Sequence, residues 1–333
     1  MSRVLVTGGG GFVGQALCKA LREAGHQVRA LQRSAVPALQ QLGVETVAAD
    51  ISDTDRVVAA CQDVDSVFHV AAKAGAWGPY EDYHRANVLG TENVLTGCRQ
   101  AGVRFLVYTS TPSVVHAGGD LAGVNESAPY AEHFQAPYPQ TKAIAEQAVL
   151  AAGGNLRRVA LRPHLVWGPG DNHLLPRVVE RARQGKLAFI GAADKLIDVT
   201  YVDNAVDAHL QAWLELQGEG RCDGRAYFIS DGQPIAIKTM INRMLQAAGL
   251  DPVNRHVPLP LARMLAPLVE TAWRTLRLRG EPMLTRFVVD QFATAHWYDI
   301  GAAHRDFGYA PKVDLEQGMR RLQDSLAAAA PTS

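Results

Sequence analysis

The sequence predicts an α/β protein: a doubly wound parallel sheet with a smaller, mostly C-terminal portion attached. Three observations lead there. A short apolar strand, Arg3 to Thr7, runs straight into a glycine turn and then a helical pattern. Further apolar runs alternate with helical stripes through the first 170 residues. Some of those runs, such as Ser66 to Ala72, are apolar almost throughout, as strands covered on both faces must be.

The opening turn is Gly8-Gly9-Gly10-Gly11-Phe12-Val13-Gly14, with a helix expected from Gln15 on the face of Ala16, Leu17, Ala20 and Leu21. Strand, glycine turn and helix in that order form the first unit of a Rossmann dinucleotide-binding fold. The spacing fits both Gly9-x-Gly11-x-x-Gly14 and Gly8-x-x-Gly11-x-x-Gly14. Such glycines allow a tight turn, close approach to a pyrophosphate and close helix–strand packing, while the helix N-terminus offers free N–H groups.

The second strand, Gln27 to Leu31, ends at Gln32-Arg33, where an acid would bind the ribose hydroxyls of NAD. A guanidinium pairs with the extra phosphate that a carboxylate would repel, so Arg33 favours NADP over its alternative as a solvated strand-end charge. Glu45 to Ala49 is the next strand, followed by Asp50-Ile51 and a helix through Val57, Val58 and Cys61. The strand from Ser66 to Ala72 carries His69, expected to line the cofactor cleft. A helix around Asn87 to Thr91 leads to the strand Arg104 to Tyr108, which delivers Thr109-Ser110-Thr111 at the sheet edge where ligands bind.

Composition excludes several classes. Lys plus Arg and Asp plus Glu are 33 each in 333 residues, so no net field argues for a nucleic-acid partner. The hydrophobic fraction, 47%, is ample for a core. Cys18, Cys61, Cys98 and Cys222 form no CxxC pair, which predicts reduced, buried thiols and a cytoplasmic protein. The fold is expected to start at Arg3, which would leave no room for a leader, and no apolar run approaches the ~20 residues of a membrane span. No metal-ligand spacing stands out, and no metal is expected.

The second constellation is Tyr138-Pro139-Gln140-Thr141-Lys142. Pro139 suits a first helical turn, so Tyr138 and Lys142 share a face, four apart. A nearby ammonium favours phenolate, and the lysine is expected to draw the tyrosine pKa towards neutrality. Such a tyrosine exchanges a proton with a substrate oxygen while a nicotinamide exchanges hydride.

The glycine turn, Asp50-Ile51, Asn87 to Thr91, Thr109 to Thr111 and Tyr138 to Lys142 together resemble an extended short-chain dehydrogenase/reductase of the 3β-hydroxysteroid dehydrogenase-like branch. The resemblance covers nearly the whole chain. It implies that Tyr138 is the general acid, Lys142 its partner and a ribose ligand, and Thr111, usually Ser, the hydroxyl that polarises the substrate oxygen. It places NADP(H) against Gly8, Gly11, Phe12, Val13, Gly14, Arg33, Asp50, Ile51, Ala71, Ala72, Asn87, Tyr138, Lys142, Pro163 and Val166, with Asp50 and Ile51 flanking the adenine.

Narrower strings, Ala71 to Gly78, Thr109 to Val114, Gly168 to Pro176 and Ala295 to Tyr298, look like those of reductases in bacterial long-chain olefin biosynthesis. That likeness implies NADPH-dependent reduction of a 2-alkyl-3-oxoalkanoic acid, with thiolase-like and β-lactone-forming enzymes as partners. A homo-oligomer is expected as well. The alternatives are a 3β-hydroxysteroid dehydrogenase/isomerase, an NAD-dependent sugar-nucleotide epimerase or dehydratase, and a non-catalytic NADP-binding scaffold. Lys73, His164 and His173 are candidate cations for a substrate carboxylate, though residues of this kind are more often structural or solvated.

Residues 1–170 are the expected NADP-binding domain, with 198–232 returning to it in part; 171–197 and 233–325 form the substrate-binding portion and 326–333 a loose tail. Leu261, Met264, Leu265, Leu268, Val269, Ala272, Trp273 and Leu276 make a helical stripe that Pro267 should kink or split. The stripe is expected to pack on the core; the competing possibility is an amphipathic lid over alkyl chains, or a peripheral contact with a membrane surface or a partner.

Overall fold

A computed structural model describes residues 1–191 and 194–329. Its centre is a seven-stranded, all-parallel sheet of β1 (Arg3–Thr7), β2 (Gln27–Gln32), β3 (Glu45–Ala48), β4 (Ser66–His69), β5 (Phe105–Thr109), β6 (Arg157–Pro163) and β7 (Arg225–Ile229). The spatial order is β7-β6-β5-β4-β1-β2-β3. The order reverses between β1 and β4, which opens a crevice at the carboxyl ends of those strands.

Helices cover both faces. On one, α1 (Phe12–Glu23) places Leu17, Cys18 and Leu21 on Val4, Val6 and Val28. On the other, α2 (Thr54–Ala60), α3 (Gly90–Ala101) and α4 (Pro137–Ala151) enclose Leu5, Val67, Leu106 and Ala160. All four cysteines are buried and free.

The smaller portion begins with α5 (Leu174–Arg183), whose first turn is capped by Asp171 accepting from the N–H groups of His173, Leu174 and Leu175. The chain then returns to the first core through α6 (Val202–Gln217) and β7. It leaves again through α7 (Ile237–Ala247), α8 (Leu259–Thr275) and α9 (Arg286–Ala293). Residues Ala303, Phe307 and Tyr309, expected on the substrate side, pack instead with the first core. The chain closes with α10 (Leu315–Ala329), so the segment expected to be loose is helical up to Ala329; 330–333 lie outside the described residues.

Several boundaries differ from expectation for local reasons. The strand expected to reach Ala72 ends at His69, because the Ala71 N–H donates to the Thr7 hydroxyl at 3.2 Å instead of joining the ladder. The helix expected from Gln15 starts at Phe12, on Gly11. A single π-helical turn, His84–Leu89, precedes α3. Pro267 splits nothing: the carbonyl it leaves without a helical donor belongs to the exposed Arg263, and Thr271 bonds the Pro267 carbonyl at 2.8 Å.

Candidate active site

The sequence-predicted residues meet along the carboxyl edge of β1, β4 and β5. Gly8 turns the chain with a φ of +70°, and a side chain there would strike the Ala71 backbone at 2.8 Å. A Cβ on Gly14 would lie 2.1 Å from the Gly8 carbonyl oxygen. Gly11 caps α1 without a side-chain bond, so the first-turn N–H groups have no side-chain acceptor from the cap. Gln32 turns inward beside Gly9, and its buried Oε1 has no partner. A cradle too narrow for side chains, free N–H groups and an orphaned acceptor together fit a bound dinucleotide.

Beyond β2 the environment is cationic. Arg33 is exposed. The Asp50 carboxyl is held below its ordinary range, first by hydrogen bonds from Ser52 and further by the Arg33 and Arg85 guanidinia. Arg85 is a second cation that sequence spacing did not single out; only the fold brings the π-helical turn to the end of β2. Ile51 is buried beneath α3, where a Cβ on Gly90 would press its methyl at 2.7 Å.

Asn87 and His69 are both held by internal bonds. Asn87 is buried and clamps the loop after β4, accepting from the Lys73 N–H at 2.7 Å and donating to the Lys73 carbonyl at 3.1 Å and the Thr141 hydroxyl at 3.0 Å. His69 does not line the cleft. It is fully buried, bonded to Thr7 at 2.7 Å and Thr91 at 2.9 Å, and burial pushes its pKa down to about 3. Ala71 and Ala72 lie on the loop after β4 and Pro163 ends β6, while Val166–Trp167 pairs as a short strand with Thr200–Tyr201.

The reactive group is built on α4. Tyr138 stands in its first turn with its phenol beside the Thr111 side chain, whose hydroxyl bonds the N–H and the hydroxyl of Ser113, each at 3.2 Å. Lys142, one turn on, is enclosed. Its Nζ donates to the Thr109 carbonyl at 2.6 Å and lies 4.1 Å above the Tyr108 ring. Glu146, the next turn again, is fully buried and bound to Arg162 at 2.6 Å, with Tyr130 donating to it at 2.7 Å.

The pKa pattern corrects the sequence expectation. Burial pushes the Tyr138 phenol up to about 12, the Thr111 hydroxyl offsetting part of this and Tyr83 adding to it. Burial also brings Lys142 down to about 7, with Glu146 resisting. Lys142 is committed to the Thr109 carbonyl, so desolvation rather than the ammonium governs the phenol.

The other candidates divide. His173 is exposed, and Lys73 pairs with Asp82 at 2.8 Å. His164 is half-buried and bonded to His296 at 2.6 Å. On α8 Leu261, Met264 and Leu268 are exposed, as is Leu276 just beyond it, while Leu265, Val269, Ala272 and Trp273 are half-buried and Ala262, Ala266 and Glu270 face inward, so only part of the expected stripe is covered. Among the described residues no helix is long and apolar enough to cross a membrane, and no His, Cys, Asp and Glu group is arranged to hold a metal.

A parallel Rossmann sheet, a glycine cradle and a Tyr–Lys pair beside a hydroxyl define an oxidoreductase of the short-chain dehydrogenase/reductase class, acting on CH–OH groups with a nicotinamide cofactor. More narrowly, the chain belongs to the 3-beta hydroxysteroid dehydrogenase/isomerase family, which it matches over residues 5–261. It is 51% identical over 329 residues to a 2-alkyl-3-oxoalkanoate reductase of Stenotrophomonas maltophilia, covering 98% of this chain and 100% of the relative. A protein of the same name from Shewanella oneidensis is 47% identical, over 98% of this chain and 87% of its own. A UDP-glucose-4-epimerase structure from Stenotrophomonas, with bound NAD, shares the fold at a TM-score of 0.76 and 23% identity, covering 98% of both chains.

Proposed function

We propose that the protein reduces the 3-oxo group of a 2-alkyl-3-oxoalkanoic acid to the 3-hydroxy acid with NADPH. The observation that carries this is the Tyr138–Thr111 hydroxyl pair, backed by Lys142, in a chain that aligns end to end with a relative of that name. Bound NADPH supplies the hydride. Gly8, Gly11, Phe12, Val13 and Gly14 would hold the pyrophosphate, Asp50 and Ile51 the adenine, and Arg33, joined by Arg85, the 2′-phosphate. Ala71, Ala72, Pro163 and Val166 would flank the nicotinamide, and Tyr138 and Lys142 the adjoining ribose; Asn87 positions that wall through Lys73.

The protein's part is proton transfer and charge stabilisation. A phenol at about 12 is fully protonated at neutral pH, so Tyr138 Oη holds the proton that the developing alkoxide needs. Thr111 donates to the same oxygen as its charge grows. The product, a 3-hydroxy acid, has the two groups that close to a β-lactone on loss of water, which suits assembly with a β-lactone-forming enzyme and a thiolase-like supplier of the keto acid.

Purified protein mixed with NADPH and a 2-alkyl-3-oxo acid should consume NADPH. Tyr138→Phe should lose about 10²–10⁴-fold in kcat while its Kd for NADPH is unchanged. A variant that keeps more than a tenth of the activity would remove Tyr138 as the acid.

A further inference from the structure

The helix α8 is fastened along its small-residue side. Ala262 and Ala266 pack with Ile190 and with Val289 of α9. The buried Glu270 accepts from the Arg286 N–H at 2.7 Å and pairs with the same guanidinium at 2.9 Å. Arg274 lies 5.1 Å above the Trp77 ring. With that side held, Leu261, Met264 and Leu268, spaced three and four apart, form an exposed row, and Leu276, Leu278 and Met283 are exposed just beyond the helix. Six of the eleven large apolar side chains exposed among the described residues thus fall between 261 and 283, which makes a patch rather than the ordinary scatter of surface leucines.

The same stretch is cationic. Arg263, Arg274, Arg277, Arg279 and Arg286 stand there against Glu270 and Glu281, a local excess of three positive charges in a chain whose charges balance. Both acids are taken, Glu270 by Arg286 and Arg274 and Glu281 by Arg177 of α5. Among the described residues Arg263, Arg277 and Arg279 are exposed and join no ion pair. Arg277 follows α8 at a φ of +48°, a conformation that glycine adopts far more readily, so an arginine is kept there against local preference.

We propose that this face rests on an anionic lipid bilayer, its leucines and methionines entering the headgroup boundary and its unpaired arginines meeting lipid phosphates. An interfacial helix needs both parts, an apolar row and cations free to bind anions. A second copy of the chain is the poorer occupant, because a two-fold contact would set these arginines against their own equivalents. Closure as a lid would turn the row inward, which the packing at Ala262, Ala266 and Glu270 prevents. The proposal is independent of the oxo-acid assignment.

Flotation of the purified protein with unilamellar vesicles tests it. Vesicles containing phosphatidylglycerol should bind about 100-fold more tightly than vesicles of phosphatidylcholine alone, at roughly fivefold for each of three arginines, and added salt should erase the difference. Leu268→Asp should weaken binding to the anionic vesicles about tenfold or more, whereas Leu214→Asp, at an exposed position on α6, should change nothing. Arg277→Gly should lose about fivefold in that affinity while its Tm stays level or rises, a combination that misfolding does not produce. Absence of binding to phosphatidylglycerol vesicles, equal binding to both lipids, or equal losses in Leu214→Asp and Leu268→Asp would each overturn the proposal. A wild-type protein that ignores vesicles but dissociates on Leu268→Asp, as read by sedimentation, would give the face to a second copy instead.

Discussion

Replacing Lys142 by methionine should stabilise the protein while inactivating it. The ammonium is enclosed, and its pKa falls from 10.5 to about 7. At 1.36 kcal/mol for each factor of ten, keeping it charged costs the fold about 5 kcal/mol as a ceiling. Methionine has a similar unbranched shape and no charge. The change leaves the Thr109 carbonyl without its 2.6 Å donor, a loss of ~1–3 kcal/mol. The net gain is then about 2–4 kcal/mol, or a Tm higher by roughly 3–6 °C for a chain of this length. The sign with pH follows from the lowered pKa. Unfolded chains bind a proton at this lysine up to about 10.5 and the folded chain only up to about 7, so the wild-type penalty is full below pH 7 and fades as pH rises towards 10.5. Thermal unfolding of both proteins at pH 6, 8 and 10 should show the advantage of Lys142→Met shrinking step by step. A variant less stable than wild type at every pH, or a gain independent of pH, would refute the claim that burial sets this lysine's pKa.

Arg33→Ala should raise KM for NADPH about tenfold or more with little change for NADH, as expected for loss of a guanidinium–phosphate pair; equal losses would leave no role for Arg33 at a 2′-phosphate. Gly14→Ala should abolish dinucleotide binding and destabilise the fold by ~1–3 kcal/mol, because its Cβ has only the Gly8 carbonyl to enter; calorimetric titration and thermal unfolding measure the two effects. Reduction should slow as pH rises through about 7, where Lys142 discharges, with no second fall below about pH 10, since Tyr138 stays protonated there; a second limb near pH 8 would contradict the raised phenol pKa.

What could be seen in the sequence was what local geometry decides. The glycine turn shows because φ at Gly8 and the crowding at Gly14 are set within a dozen residues. Tyr138 and Lys142 show because one helical turn brings them to the same face. Residues brought in from elsewhere did not show, Arg85 and Tyr83 among them. His69 misled because a strand end predicts exposure to the cleft, whereas Thr7 and Thr91 draw its ring between β1 and α3. The stripe on α8 misled for a different reason. Helical period marks the apolar residues but not which of them meet the core; Val289 of α9 packs with Ala262 and Ala266, and the larger Leu261, Met264 and Leu268 are left outside.

The buried Glu146–Arg162 pair explains how a costly lysine is tolerated where the chemistry needs it. A lone carboxylate beside Lys142 would neutralise it but would be drawn onto the ammonium, and Lys142 would leave the Thr109 carbonyl. Arg162, from β6 and covered by the Tyr130 and Phe228 rings, satisfies Glu146 instead. Glu146 still acts on Lys142, raising its pKa against desolvation, but at one turn's distance and without capturing it. The result is an amine poised near neutrality rather than a locked ion pair, fixed by a carbonyl on the same strand end that carries Thr111. A rigid charge cluster thereby anchors α4 to the sheet, and the two residues proposed for chemistry inherit their positions from that anchor.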